Sequence, residues 1–156
     1  MTFDHTNATS SSTSSANDLF AMLVAPRSVP RALVNVSTTL SSLRALRSFG
    51  HDWDGNGSAA PRVGAIDAAS RFVQQSAEDV VSTRAGWARP HVSANEDGNV
   101  VLEWWCGARK LTLYISQHSA SYVRVWGPDM VGQMQDGELP EGEFINHWNW
   151  LTERYS

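Results

Sequence analysis

The chain has 156 residues, of which 42% are hydrophobic, so it can bury one core of ordinary size, since single domains commonly contain roughly 100 to 150 residues. Its net charge is −4, and residues 95–156 carry 9 acidic and 4 basic residues, which argues against direct binding of nucleic acid. No run approaches the roughly 20 apolar residues needed to cross a bilayer, and no secretory signal is present, so we expect a cytoplasmic protein.

The N-terminal part of the chain divides into a polar tail and a short apolar segment. Residues 1–16 are rich in Ser and Thr and contain little that could be buried, so they are predicted to form a disordered tail. Asn17 is a candidate cap for a short helix that runs through Val24 and is ended by Pro26. We therefore predict a single domain over residues 17–156.

Two amphipathic helices are predicted next. The first follows Ser37 and stops at Gly50, where a glycine commonly ends a helix. Its apolar stripe consists of Leu40, Leu43, Leu46 and Phe49. The second opens at Pro61, and Phe72 borders its apolar face. That face consists of Ile66, Ala69, Val73, Ala77 and Val80. We expect the helices to pack on each other and on a sheet.

A loop of residues 51–61, with the sequence HDWDGNGSAAP, separates the two helices. Its Asp-x-Asp-x-Asn-Gly spacing, starting at Asp52, matches the start of a calcium-binding loop, whose side-chain oxygens converge on the ion. The match fails at the twelfth position, where Val63 stands in place of the bidentate Glu. We expect a structural turn in which Asp and Asn accept backbone N–H groups and Trp53 packs into the core.

Alternating apolar residues after Pro90 predict an antiparallel meander. Its first three strands are joined by a loop that ends at Gly98 and a two-residue turn that starts at Gly107, and these fix the register. The expected cross-strand pairs are Val92 with Leu102, Ala94 with Val100, Val100 with Ile115, Leu102 with Leu113, and Trp104 with Leu111. All lie on one apolar face. The only cysteine, Cys106, excludes an internal disulfide and is expected to be a buried, inert thiol.

A further strand from Tyr122 to Trp126 is expected to place Val123 and Val125 on the apolar face, if it follows through a three-residue polar loop. The opposite face then carries four aromatic residues, an area that monomers rarely leave in water. It consists of His91, Val101, Glu103, Trp105, Lys110, Thr112, Tyr114, Tyr122, Arg124 and Trp126. Its candidate covers are a second subunit, a partner, or a C-terminal helix with the stripe Phe144, Trp148, Leu151 and Tyr155.

Two groups of residues could carry catalysis. His91 is predicted to face Glu103 across two strands and could orient a general base, although a surface pair is the simpler interpretation. Asp52 and Asp54 could act as a carboxylate pair beside His51, but no nucleophile or oxyanion-hole motif is nearby. The histidines have no metal-ligand spacing. We predict no metal site, no catalytic residue and no cofactor, and keep a small hydrolase or transferase using these groups as the alternative function.

An acidic stretch runs from Asp129 to Glu143 and contains no Lys or Arg. Such a run is typical of a solvated loop. Its functional alternative is a negative patch that docks a basic groove of a partner protein and raises the association rate, with phosphate mimicry as the extreme form. The acidic residues are Asp129, Asp136, Glu138, Glu141 and Glu143.

Five segments of the chain carry motifs that also occur together in other small proteins. They are the leucine stripe of the first helix, residues 52–59, residues 65–73, residues 90–92 and residues 96–104. Over residues 38–115 the chain resembles a group of small uncharacterised bacterial and phage proteins, with an "NWDGYGA"-like turn, an "AIxxAxxFL" helix and a "dGgvxLEW" hairpin. It departs from their pattern at Asn56, where they have an aromatic residue, and in its Trp-rich C-terminal helix. The resemblance implies no activity and no catalytic residue.

The sequence thus predicts an α+β fold in which N-terminal helices pack on a four-stranded antiparallel β-meander that is followed by a C-terminal helix. The expected function is a non-enzymatic protein-interaction module, such as a mobile-element-associated inhibitor or accessory protein, with an aromatic and acidic surface. Trp, Tyr and Arg are favoured at such surfaces. The candidate partner-binding residues are Trp105, Tyr114, Tyr122, Arg124, Trp126, Asp136, Glu138, Glu141, Trp148 and Trp150. A homodimer is the arrangement left open.

Overall fold

A computed structural model describes residues 30–83 and 86–153. The predicted tail, the predicted short helix from Asn17 and the side chain of Tyr155 lie outside the described residues. Within them, the helices are α1 (Arg31–Ala45), α2 (Val63–Ser82) and α3 (Phe144–Thr152). The strands are β1 (His91–Ala94), β2 (Val100–Cys106), β3 (Arg109–Ile115), β4 (Ala120–Val125) and β5 (Met134–Glu138). No helix in this part of the chain is long and apolar enough to span a bilayer.

The first helix, α1, begins earlier than its leucine spacing predicts. It starts at Arg31, directly after Pro30, because the fixed φ and missing N–H of proline are tolerated at the start of a helix. Leu43 and Leu46 are buried as expected. A single 3₁₀ turn (Leu46–Ser48) then ends the helical segment before the loop.

The second helix, α2, buries the face that its sequence predicts. The buried residues include Ile66, Ala69, Val73, Ala77 and Val80. It runs antiparallel to α1, since Arg47 at the end of the first helical segment forms an ion pair with Asp67 in the first turns of α2. The two helices therefore form a hairpin connected by the predicted loop.

The strands form one antiparallel meander in the order β1-β2-β3-β4-β5. All the cross-strand pairs predicted for β1, β2 and β3 are present, and Gly98 and Gly107 adopt the positive φ values, 81° and 59°, that their turns require. Leu102, Leu111 and Leu113 are completely buried. We call the side of the sheet that carries these leucines the core face, and the other side the open face.

The predicted facing of β4 is wrong. Ile115 pairs with Ala120, so the loop between β3 and β4 is one residue longer than the predicted three-residue loop. A one-residue shift moves every side chain of a strand to the other face of the sheet. Tyr122 and Arg124 therefore lie on the core face, and Val123 lies on the open face.

A fifth strand, β5, replaces part of the predicted acidic loop, so the sheet has five strands and not four. Its apolar content is too low to signal a strand, because an edge strand is held by backbone pairing and tolerates charges such as Asp136 and Glu138. Gly137 lies opposite Tyr122, and a Cβ atom at Gly137 would stand 3.2 Å from the tyrosine ring. The glycine therefore makes room for this ring at the sheet edge.

The last helix, α3, packs on the core face beside α2 and does not cover the open face. Phe144, Trp148 and Leu151 are buried as predicted, and the ring centroid of Trp104 lies 6.0 Å from that of Trp148. No helix among residues 30–83 and 86–153 covers the open face. Cys106 is exposed, contrary to the prediction, because it is the last residue of β2 beside an exposed hairpin turn.

Candidate functional site

The predicted aromatic surface is divided between the two faces of the sheet. Trp105 and Tyr114 lie on the open face as expected, and Trp105 is 57% exposed. The Lys110 ammonium stands 5.1 Å from the centroid of the Trp105 ring. Tyr122 and Arg124 lie on the core face, so the predicted contiguous surface does not exist.

A cluster of arginine and aromatic side chains forms where β4 and β3 meet α3. We call it the rim cluster, and it consists of Arg109, Tyr122, Arg124, Trp126, His147 and Trp150. The Trp126 and Trp150 rings meet edge to face at 6.2 Å. The Arg124 guanidinium lies 4.9 Å from the Trp150 ring centroid. Arg109 lies 5.3 Å from the same ring and donates a hydrogen bond to the Trp150 carbonyl.

Within the rim cluster, His147 contacts both Arg124 and Tyr122. Its Nδ1 atom accepts a hydrogen bond from Arg124 Nε at 2.8 Å, and its ring lies 4.1 Å from the Tyr122 ring. Burial, reinforced by the Arg124 charge and opposed by Glu143, lowers the pKa of His147 from its ordinary 6.5 to about 4. The ring is therefore neutral near pH 7, with its proton on Nε2.

His147 and Arg109 were missed by the sequence analysis. The signal available for His147 was its position three residues after Phe144, which places both on one side of α3. Arg109 gave no comparable signal, because its contact with Trp150 joins residues 41 positions apart.

Arg124 is held in place but keeps part of its hydrogen-bonding capacity. Burial lowers the pKa of Arg124 below its ordinary value, although a guanidinium stays protonated under all physiological conditions. Within residues 30–83 and 86–153, Arg124 forms no ion pair, and its only hydrogen bond is the one from Nε. Its two terminal nitrogens can therefore bind a carboxylate or a phosphate in the bidentate manner that suits a guanidinium.

The other predicted partner-binding residues have different fates. Trp148 is 1% exposed, so this prediction is wrong, because the apolar stripe of α3 is consumed by the core. Asp136 and Glu138 are exposed on β5, beside β4, and Glu141 is exposed in the turn before α3. None of these three carboxylates forms an ion pair with the described residues. Asp136 and Glu138 pair with Val123 and Ser121, so they lie at the sheet edge on the open face, whereas the Tyr122 and Arg124 side chains of the rim cluster lie on the core face.

The carboxylates of the 51–61 loop are bound by the loop itself. Asp54 accepts a hydrogen bond from the Ser58 hydroxyl at 2.6 Å, which holds the pKa of Asp54 below its ordinary value, and Asp52 accepts one from the Gly57 backbone at 2.6 Å. Trp53 donates to a backbone carbonyl and is half-buried. No group of His, Cys, Asp and Glu suited to a metal occurs in the described chain. The aspartates accept backbone N–H groups as the predicted turn requires, but Trp53 does not pack into the core and instead stacks on Phe49, which is itself 40% exposed.

The residues proposed for the enzyme alternative line neither of the two grooves found on the described part of the chain. Glu103 pairs with Lys110 at 2.5 Å, and its register partner His91 packs near Trp105 instead of hydrogen-bonding to the carboxylate. One groove of about 640 Å³ lies between α2 and the β3–β4 loop, and another of about 710 Å³ lies between α1 and α2. Neither is lined by any of the candidate catalytic residues His51, Asp52, Asp54, His91 and Glu103.

Comparison with protein-family models, with curated proteins and with solved structures finds no match for this chain. The resemblance to small bacterial and phage proteins therefore stays a prediction. The functional interpretation depends on the geometry of the site.

Proposed function

We propose that this chain is a non-enzymatic protein-interaction module whose anchor is the rim cluster. The observation that carries the proposal is the state of Arg124, which is half-buried, fixed by His147 and Trp150, and left with unpaired terminal nitrogens among the described residues. Ordering a long side chain opposes association, and this side chain is already ordered. Arg and Trp are also the residue types that most often dominate binding energy.

The charges around the rim cluster suggest what the partner presents to it. Arg124 suits a carboxylate of the partner, because paired N–H groups match its two oxygens. Asp136 and Glu138 lie on the open face of the edge strand β5, and Glu141 lies in the turn before α3, so they suit basic groups of a partner that extends around this edge of the sheet, where complementary charge accelerates association. We therefore favour a partner with a carboxylate at the centre of its contact and basic residues on one side. An inhibitor or accessory role in the cytoplasm is the biological form that we propose for this binding.

The proposal can be tested by affinity capture from extract of the native cell, with the tagged full chain as bait. Arg124→Ala and Trp150→Ala are expected to reduce recovery of the partner by about tenfold or more, which corresponds to hot-spot losses of about 1.4 kcal/mol or more. Arg89→Ala is the charge-matched control, because Arg89 is exposed and lies just before the edge strand β1, which β2 and β3 separate from β4. It is expected to retain the partner.

A fold control accompanies each bait. Circular dichroism and thermal unfolding of Arg124→Ala should show a folded domain, so that reduced capture reports the surface. Equal recovery of the same partner by Arg124→Ala, Trp150→Ala and Arg89→Ala would contradict a role for the rim cluster.

A further inference from the structure

The outer edge of β5 carries main-chain hydrogen-bonding groups that no residue among 30–83 and 86–153 satisfies. Just after the strand, the Leu139 N–H donates to the Ala120 carbonyl. Hydrogen-bonded pairs occur at every second position of an antiparallel ladder, so Gln135 and Gly137 are the β5 residues whose main chains bond to β4. The N–H and C=O groups of the alternate residues therefore point away from the sheet. These alternate residues are Met134, Asp136 and Glu138.

The side chains of the same three residues project from the open face beside this edge. Asp136 and Glu138 are exposed and form no ion pair with the described part of the chain. Met134, at the start of the strand, is 37% exposed. The edge thus offers free main-chain groups together with one apolar side chain and two carboxylates, spaced at every second residue.

We propose that β5 accepts an extended basic segment of a partner protein as a sixth, antiparallel strand of the sheet. The inference rests on the proposed function, because this segment supplies the basic groups of the partner that the rim cluster anchors. In such an addition, main-chain hydrogen bonds give affinity and alternate side chains give specificity. Lys or Arg directly opposite Asp136 and Glu138, with an apolar residue opposite Met134, complements the edge.

The charges of β5 disfavour a second copy of the chain as the occupant. Two β5 strands paired about a two-fold axis at Asp136 would place this carboxylate opposite its own copy, and an axis at Gly137 would place Asp136 opposite Glu138. Like charges directly opposite each other destabilise a strand pair, and charged side chains commonly protect edges from self-pairing. A basic strand meets the same edge without this repulsion.

A strand added to β5 also allows one segment to reach both faces of the sheet. Its basic side chains would lie on the open face, beside Asp136. The intervening side chains would lie on the core face, which carries Tyr122 and Arg124. Gly137 has no side chain on that face, and the Tyr122 ring lies beside it at the edge. Alternate residues of one extended segment can therefore contact the acidic edge and approach the rim cluster together.

Nuclear magnetic resonance of the full chain with a synthetic peptide tests the proposal. The probe is the acetylated and amidated heptapeptide Thr-Lys-Thr-Lys-Thr-Val-Thr. In the antiparallel register its two lysines lie opposite Glu138 and Asp136, and its valine lies opposite Met134. With the peptide at about ten times its Kd, hydrogen exchange of these three amides should slow by about tenfold. The Gln135 and Gly137 amides, which already bond to β4, should change little.

Two methylated peptides of identical charge separate strand addition from simple charge attraction. Methylation of the main-chain nitrogens of both lysines removes the donors that face β5, and it should weaken binding by about tenfold or more. Methylation of the third and fifth threonine nitrogens, which face away from β5, should leave binding unchanged. Equal affinity of all three peptides would overturn the proposal, because charge alone would then explain the binding.

Matched variants of the chain test the contribution of the carboxylates. Asp136→Asn combined with Glu138→Gln should weaken binding of the unmethylated peptide by about tenfold, because two facing charge pairs are lost. Glu96→Gln combined with Asp97→Asn, in the exposed loop between β1 and β2, is the control and should bind normally. Equal weakening by both double variants would contradict a site on β5. Arg124→Ala should also bind normally, because the peptide carries no carboxylate.

The outcome for the added strand can be distinguished from the outcome for the rim cluster. If saturating peptide protects none of the β5 amides while Arg124→Ala still loses the partner, strand addition is wrong and the proposed function stands. If the peptide protects β5 while Arg124→Ala retains the partner, strand addition is supported and the rim cluster is not the anchor. Protection of the same amides without peptide, rising with protein concentration, would mean that a second copy occupies the edge and would overturn the proposal.

Discussion

Trp148 and Trp150 lie two residues apart on α3 but belong to different environments. Trp148 is buried against Trp104 in the core, whereas Trp150 is half-buried at the rim, with Arg109 and Arg124 over its ring. A helix turns about 100° per residue, so neighbours two positions apart point in nearly opposite directions. The comparison shows that the position on the helix, and not the residue type, decides whether a tryptophan stabilises the fold or remains available for contact.

The largest expected difference between the two tryptophans is in the free energy of unfolding. Trp148→Ala should destabilise the protein by about 3 to 5 kcal/mol, because it removes a buried ring and leaves a cavity. Trp150→Ala should cost about 2 kcal/mol, since the ring is only partly buried and its contact with Arg124 contributes about half of that amount. Urea unfolding followed by circular dichroism measures both values. Similar losses for both variants would contradict the division between core and rim.

The next prediction concerns the free energy of unfolding at acid pH, which should depend on His147 and not on an exposed histidine. The folded-state pKa of His147, about 4, lies below its ordinary value of 6.5, so the unfolded chain binds more protons between these values. The stability associated with His147 is therefore complete above pH 6.5 and is lost as the pH falls toward 4. One pKa unit corresponds to about 1.4 kcal/mol, so we expect a loss of about 2 to 3 kcal/mol across this window.

Unfolding free energies measured from pH 7.5 to pH 4 test this expectation. His147→Gln should remove the loss, because the amide oxygen can accept from Arg124 without titrating. The matched control is His118→Gln, at an exposed residue of the β3–β4 loop, which should follow the wild-type curve. A wild-type pH slope that persists in His147→Gln would show that other groups cause it.

The parts of the fold that follow from sequence are those with local signals. Gly98 and Gly107 set the registers of β1, β2 and β3, because a short turn admits few pairings. The face of the sheet on which each β4 residue lies was not predictable, since the polar loop before β4 is compatible with two registers that differ by one residue. β5 was not predictable either, because its sequence has no apolar alternation. Backbone pairing with β4 holds this strand at the edge of the sheet.

The rim cluster was predicted in its residue types but not in its geometry. Tyr122, Arg124, Trp126 and Trp150 were all candidates, although the first three were assigned to the open face. The contact between Arg124 and His147 joins residues 23 positions apart, and it exists only because β4 turns its even-numbered residues toward α3. The length of the loop before β4 therefore decides on which face of the sheet Tyr122 and Arg124 lie, and with it whether the rim cluster can form.

A smaller effect tests the coupling inside the rim cluster. In a double-mutant cycle of Arg124→Gln and Trp150→Leu, the interaction free energy should be about 1 kcal/mol, because a partly desolvated guanidinium over an indole ring contributes about that much. Unfolding free energies of the two single variants and the double variant measure it. The matched pair is Lys110→Gln with Trp105→Leu on the open face, where the distance is 5.1 Å but Trp105 is exposed. Its coupling should be smaller, and a larger value would contradict the difference in burial.

The smallest expected effect on stability belongs to Trp105, and it decides which face of the sheet binds the partner. Trp105→Ala should change the free energy of unfolding by no more than about 0.5 kcal/mol, because exposed side chains lose little on truncation. It should also leave capture of the partner intact, since Trp105 lies on the open face of the sheet, whereas Tyr122 and Arg124 lie on the core face. If Trp105→Ala abolished capture while Trp150→Ala retained it, the binding surface would be the open face. The contacts within the rim cluster would then serve to hold α3 on the sheet. The terminal nitrogens of Arg124 would be left unpaired among the described residues as a consequence of these contacts.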